Sequence, residues 1–145
     1  MSPELKQINE LLVIVYNDII DLEEKQLKAE NFSDLSIKEI HTIDKIGMYK
    51  KKTATDVAKE LSVTLGTLTT AIDKLVKKGY VERLRSEDDK RVVKLGLTKK
   101  GRLVYRAHES FHYKMINQVI EGMSDDEVSA LTSGLKNLHS FLIKE

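Results

Sequence analysis

Two groups of residues in this chain have types and spacings that suit contact with a polyanion. Thr64, Gly66, Thr67, Thr70, Lys74 and Lys77 fall on one side of a helix-periodic stretch. The other side of that stretch carries Leu65, Leu68, Ile72, Leu75 and Val76, a stripe suited to burial. Small hydroxyl residues and a glycine let a helix approach base edges closely, and lysines behind them reach phosphates. The second group is Asp89-Lys90-Arg91, in the polar segment between two β-type runs. A cation on a projecting turn suits the negative potential of a minor groove. Asp89 can orient Arg91 through a paired carboxylate–guanidinium contact. Each group also has a plainer account: an amphipathic surface helix, and a solvated turn with a local ion pair.

The elements that must position these groups are legible around them. A helix opening at Thr53 or Thr55 carries Val57, Ala58 and Leu61 on one face, and Ser62-Val63 forms a tight turn. Thr64 has the chemistry of an N-cap, because its hydroxyl can accept from a first-turn backbone N–H. The second helix runs to Lys78 and stops at Gly79, which takes a left-handed C′ conformation without a Cβ clash. Tyr80–Arg85 and Arg91–Leu97 follow as strands, with Val93, Leu95 and Leu97 alternating with Val92, Lys94 and Gly96. A hairpin directly after a helix-turn-helix is a winged helix.

The flanks read as helices. Residues 4–29 place Leu5, Ile8, Leu12, Val15, Ile19 and Leu22 at alternating three- and four-residue steps, a seam for another helix. Phe32–Leu35 is a loop, and Ser36 with Glu39 forms a capping box before Ile37, Ile40, Ile43 and Ile46. Lys50-Lys51-Lys52 reads as a solvated loop, with a phosphate contact or an acidic partner as sharper alternatives. Thr98 caps a further helix whose first turn holds Lys99, Lys100 and Arg102, against the helix dipole; nearby DNA or plain solvation would favour them. Ser124 and Glu127 make another capping box, before a last helix with Val128, Leu131, Leu135, Leu138 and Leu142 in three-four steps. Apolar seams at both ends of the chain suit a symmetric partner or packing within the subunit. The expected fold is therefore mainly α, a single domain over 1–145. Its winged helix-turn-helix lobe spans 36–97, with a two-stranded β-wing. Residues 4–35 and 98–145 form a helical dimerisation region.

Composition narrows the function. The net charge is +1, yet Thr64–Arg102 holds eleven Lys/Arg against five Asp/Glu, a local excess of +6. A basic segment on a near-neutral chain argues for a localised polyanion contact. With no cysteine in its 145 residues, the chain has no disulfide, thiolate metal site or thiol redox switch. No apolar run spans a membrane and no signal segment is visible, so a cytoplasmic location and no membrane partner are expected. No nucleophile elbow, P-loop or dinucleotide fingerprint is present, so an enzyme is not expected. The sequence-paired carboxylates Glu23-Glu24 and Asp125-Asp126 read as solvated faces without a nearby histidine. His108 and His112, four apart on one helix, can face one metal ion. They lack an obvious third ligand, so packed histidines are the reading taken, with no metal site and no cofactor. Tyr16, Phe32, Leu35, His108, Phe111 and Met115 are candidates to border an apolar effector cavity, with ordinary core packing as the alternative.

The helix-turn-helix, the Asp89-Lys90-Arg91 tip and the junction VKLGLTKKGR, in this order, resemble the MarR family of bacterial transcription regulators over nearly the whole chain. IKEIHTIDKIG, SVTLGTLTT and RSEDDKRVVKLGLTKKGR resemble more particularly the MarR-type repressors of fatty-acid synthesis genes. The resemblance implies a homodimer clasped by N- and C-terminal helices, with a double-stranded DNA operator as partner. It also implies acyl-acyl carrier protein, or another long-chain acyl effector, as corepressor in an elongated apolar tunnel. Release by a small aromatic ligand or response to a metal are the alternatives within the family. Outside it, the residues also fit an interaction module whose basic segment docks an acidic protein.

Overall fold

The computed structural model describes residues 1–29 and 31–144. Among these described residues, six helices and three short strands follow in chain order: α1 (Pro3–Ala29), α2 (Ile37–Ile46), β1 (Lys52–Thr53), α3 (Ala54–Leu61), α4 (Leu65–Lys77), β2 (Val81–Arg85), β3 (Val93–Leu97), α5 (Lys99–Ile120) and α6 (Asp125–Leu142). They fall into two compact units, Met1–His108 and the segment from Glu109 onward.

Local chemistry sets most boundaries in the first unit. Ser36 caps α2, with its hydroxyl accepting from the Glu39 N–H (3.1 Å) and the Glu39 carboxylate accepting from the Ser36 N–H (3.0 Å). Thr53 and Asp56 form the same reciprocal pair at the start of α3. Ser62 ends α3 at φ 56°, a left-handed turn, and Thr64 then caps α4. Gly79 leaves α4 at φ 85°, where a side chain would be strained.

The strands form one antiparallel sheet in the order β1-β3-β2. The β2–β3 hairpin pairs Val81 with Leu97 and Arg85 with Val93, as the alternation in the sequence predicts. The third strand is an addition: Lys52 pairs with Leu95 and Thr53 with Lys94. Lys52 is therefore not part of a solvated loop. Its ammonium donates to the Lys45 carbonyl (2.7 Å) and to Glu60 (2.8 Å). Ile43, Ile46, Val57, Leu68, Ile72, Leu75 and Tyr80 fill the lobe's core, each at most 1 % exposed. Burying each large side chain of this kind stabilises by roughly 1.5–3 kcal/mol.

The start of α5 is fixed against the base of the hairpin. Thr98 donates its N–H to the Tyr80 carbonyl (3.1 Å) and its hydroxyl to the Gly79 carbonyl (2.6 Å), and accepts from the Gly101 N–H (3.1 Å). A Cβ at Gly101 would lie 2.1 Å from the Tyr80 carbonyl oxygen, so only glycine fits there. Two cations of this turn, read from sequence as solvated or facing DNA, also make contacts within the chain, although Lys100 stays exposed. Lys100 lies 4.3 Å above the Tyr80 ring, and Arg102 donates to the Leu97 carbonyl (2.9 Å).

In the second unit, Gly122 turns the chain at φ 78° and Ser124 with Glu127 caps α6. No residue of α6 is buried within the chain. Leu135, Phe141 and Leu142 are each more than half exposed. The seam of α1 is similarly uncovered, with Leu5, Ile8, Leu12 and Val15 all 44–56 % exposed. Among the described residues no helix is long and apolar enough to cross a membrane.

Candidate nucleic-acid interface

Helix α4 divides cleanly. Leu68, Ile72 and Leu75 are buried, while Thr64, Gly66, Thr67, Thr70, Lys74 and Lys77 are all exposed on the other side. One member of the sequence-derived apolar stripe departs from it. Leu65 is 50 % exposed, because it lies in the first turn, beyond the edge of the core. It faces outward with that group, although periodicity alone assigned it inward.

The hydroxyls of the first two turns are engaged in an ordered way. Thr64 accepts from the Thr67 N–H (3.1 Å) and donates its proton to the Thr67 hydroxyl oxygen (2.9 Å). Thr67 thus keeps its own proton to give. Thr70 donates to the Gly66 carbonyl (3.2 Å) and so offers lone pairs outward. A Cβ placed on Gly66 would meet nothing within 4 Å. Nothing in the protein itself requires glycine there, whereas a close-lying groove would.

The wing tip is tight and charged. Val92 donates its N–H to the Asp89 carbonyl, and Ser86 to the Val92 carbonyl, each at 3.0 Å. The Arg91 guanidinium grips the Asp89 carboxylate in parallel, Nε to Oδ1 at 3.1 Å and Nη2 to Oδ2 at 3.2 Å, while the Arg91 backbone N–H adds a third bond at 3.0 Å. Those bonds, the side-chain one foremost, hold the Asp89 carboxyl below its ordinary range. Arg91's side chain is 91 % exposed even so, and Lys90 beside it is exposed too. Beneath the tip, Arg85 donates to the Lys90 carbonyl (3.4 Å). Asp73, the acid at the edge of the α4 face, is ion-paired with Arg83 of β2. Arg83 was not singled out in the sequence, since nothing local links a strand residue to a helix ten positions earlier.

Within the first unit, Tyr16, Phe32, Leu35 and His108 do not line one common cavity. Phe32 and His108 line a small, partly open cavity with Glu23, Gln26, Leu27, Ile40, Val104 and Ala107. It holds about 10 Å³ for the centre of a water-sized body, so no acyl chain or aromatic ring fits it as it stands. Leu35 is buried and borders a separate open groove with Leu27, Ile37, Lys28 and Lys38. Tyr16 is 67 % exposed on α1. Phe111 and Met115 are half-buried members of the second unit. The view of Glu23 as a solvated carboxylate without a histidine is overturned: Glu23 is 3 % exposed, and His41 Nε2 lies 3.4 Å from its Oε2. The partner comes from α2, out of reach of any local pattern.

Comparison with known proteins agrees with this architecture. The MarR family model matches residues 35–93. The multiple antibiotic resistance protein MarR of Escherichia coli is 37 % identical over 87 residues, covering 59 % of this chain and 60 % of that protein. The regulator PchR of Bacillus subtilis is 27 % identical over 126 residues, covering 83 % and 75 %. Among solved structures, Streptococcus pneumoniae FabT in complex with DNA is 49 % identical, with a TM-score of 0.85 over 97 % of this chain and 98 % of that one.

Proposed function

The chain belongs to the MarR family of DNA-binding transcription regulators, and from that premise we propose that it is a homodimeric repressor of fatty-acid synthesis genes, with acyl-acyl carrier protein as corepressor. Helix α4 enters the major groove, with Thr67 and Thr70 toward base edges and Lys74 and Lys77 toward phosphates. Lys90 and Arg91 reach the flanking minor groove. The observation that carries this reading is the pairing of a core-independent, hydroxyl-rich α4 face with an exposed guanidinium on the adjoining hairpin. The similarity to FabT, a structure solved with DNA, supports it.

Dimerisation is proposed through the uncovered seams of α1 and α6, which leave large aliphatic and aromatic side chains in water in the single chain. A two-fold dimer carries two α4 helices, and two half-sites about 34 Å apart would serve both. The acyl effector rests on the resemblance of the sequence to MarR-type repressors of fatty-acid synthesis. The groove floored by Leu27, Leu35 and Ile37 and edged by Lys28 and Lys38 is chemically suited to an alkyl chain on an acidic carrier.

Gel shift on a palindromic duplex tests the DNA reading, and binding should weaken steeply with salt. Adding acylated carrier protein to a fixed operator complex tests the effector. Tighter binding is the expected result; loosening would reverse the proposed corepression, and no change would remove the acyl effector. Retention of an acidic protein partner with no salt-sensitive binding to any duplex would favour an interaction module instead.

A further inference from the structure

The first turn of α4 carries a side chain that its helical period would bury. Leu65 follows the cap Thr64 and is 50 % exposed, and Val63 precedes the cap at 39 %. In the winged lobe, residues 36–97, the large apolar side chains left exposed are these two with Tyr49 and Val93. An isolated exposed leucine is ordinary on a protein surface. Two aliphatic side chains bracketing the cap of the helix assigned to the major groove are not. Their neighbours Thr64, Gly66 and Thr67 are all exposed, and the first turn holds neither acid nor base. The lysines of α4 come in its last turn, at Lys74 and Lys77. Charge for phosphates and uncharged surface thus lie at opposite ends of the helix.

The backbone here is fixed before anything binds. Ser62 turns at φ 56°, and the N–H groups of Ser62 and Val63 donate to the Lys59 and Ala58 carbonyls at 3.1 and 3.0 Å. Thr64 accepts from the Thr67 N–H through its hydroxyl and from the Leu68 N–H through its carbonyl, at 3.1 and 3.0 Å. The Thr69 hydroxyl donates to the Leu65 carbonyl (2.8 Å), and Leu68 anchors the turn in the core at 1 % exposure. Little backbone freedom is left to lose when a ligand meets this turn, which favours selective contact.

We propose that Leu65 reads thymine: its side chain packs on the C5-methyl group of a thymine in the major groove, and Val63 widens the apolar contact. The proposal rests on α4 lying in that groove. Among the four bases only thymine shows a methyl group there. Leucine offers the polar edges of the other bases nothing. A cytosine N4 amine or a guanine O6 set against it loses the partner that water had supplied. Attraction to the methyl and rejection of polar edges therefore select the same base. Covering one methyl group is worth about a fourfold change in affinity. The hydrogen bonds open to Thr67 and Thr70 differ in kind, since they read a base through its donors and acceptors.

The test uses the full chain and duplexes that the wild type selects from random-sequence DNA. Each thymine of a selected duplex is replaced singly by deoxyuridine, which removes the methyl group and keeps the hydrogen-bonding edge. Wild type should lose about fourfold in affinity at one thymine of each half-site. Leu65→Ala should bind thymine and uracil there equally, and Leu65→Met, still apolar, should keep part of the preference. With cytosine at that position, 5-methylation should improve wild-type binding and leave Leu65→Ala unmoved. The half-exposed position lets Leu65→Ala keep the wild-type fold, as its thermal midpoint should show. A wild type indifferent to uracil throughout a selected duplex would overturn the proposal while leaving DNA binding in place. A uracil penalty that persists in Leu65→Ala would overturn it too, and loss of that penalty in Thr67→Ala or Thr70→Ala would pass the methyl contact to the threonine. Selection of no duplex at all would overturn the placement of α4 in DNA, and this proposal with it.

Discussion

Asp73 of α4 and Arg83 of β2 are ion-paired across the junction between the helix and the wing. The contact ties the two elements that present the candidate DNA-facing groups, and it neutralises the acid nearest the α4 face. Both side chains are substantially exposed, at 60 % and 40 %, so the pair should add at most about 1 kcal/mol to stability. Its larger effect should be on DNA. Arg83→Ala should weaken binding to operator and scrambled duplex alike, because Asp73 then repels phosphates unscreened. Adding Asp73→Ala to that variant should restore part of the loss. A double-mutant cycle on affinity gives the coupling directly, and additive losses would dismiss the pair as a bystander.

At the wing tip, Arg91→Ala should reduce DNA affinity and lower the slope of log affinity against log salt by about one unit. Fold stability should change by no more than about 0.5 kcal/mol. Asp89→Asn keeps the side chain's shape but removes the charge that holds the guanidinium. It should cost less affinity than Arg91→Ala, with the salt slope kept. Affinity indifferent to both substitutions would leave the tip as a solvated turn.

The hydroxyl order on α4 predicts different roles for the two threonines. Thr67 can donate, to guanine O6 or N7, adenine N7 or thymine O4; Thr70 can accept, from adenine N6 or cytosine N4. Thr70→Ala should cost about 1–3 kcal/mol on the best operator and less on scrambled DNA. Lys74→Ala should weaken both by similar factors. Equal losses for Thr70→Ala on the two duplexes would move that residue to the phosphate.

Gly66 separates folding from binding. With open space where its Cβ would lie, Gly66→Ala should hold or raise stability, by up to about 1 kcal/mol from helix propensity. The same methyl would stand between the helix and a base edge. A thermal midpoint that holds or rises together with weaker operator binding is expected; unchanged affinity would place Gly66 away from the groove.

Acid should loosen the lobe at Glu39. Burial raises the pKa of this carboxyl, but the Lys78 ammonium at 2.9 Å and the Ser36 capping bonds outweigh it, and the net shift is downward from 4.5. A carboxyl held lower in the folded state contributes stability above pH 4.5 that is lost as pH falls through its folded value. Glu39→Gln should flatten the acid limb of a stability–pH curve, and its midpoint at neutral pH should fall. An unchanged acid limb would assign that limb to other carboxylates.

What could be read ahead of the structure was what neighbours in sequence decide. Ser36 with Glu39, Thr53, Thr64 and Ser124 announce helix starts because each cap reaches only three residues forward. The hairpin was legible from alternation, and the bidentate Asp89–Arg91 pair from two residues in sequence. Long-range placement was not legible. Glu23 looks like one more charge on a long helix until His41 arrives from α2. Lys52 and Arg102 look solvated until a strand and a carbonyl are brought beneath them. Leu65 keeps the helical period yet lies past the end of the core, which periodicity cannot locate.

The contact of Gly101 with the Tyr80 carbonyl also bears on how this chain can vary. At 2.1 Å no side chain is accommodated, and the obstacle is backbone, which cannot swing aside as a side-chain tip would. Nearly every base change in the first two positions of a glycine codon installs a Cβ, so this position has almost no viable one-step neighbours. A randomised library sorted only for soluble, folded protein should therefore return glycine at 101 almost alone, while accepting many residues at 66. The junction between hairpin and α5 is thus a fixed point of inheritance, and operator preference can diverge around it.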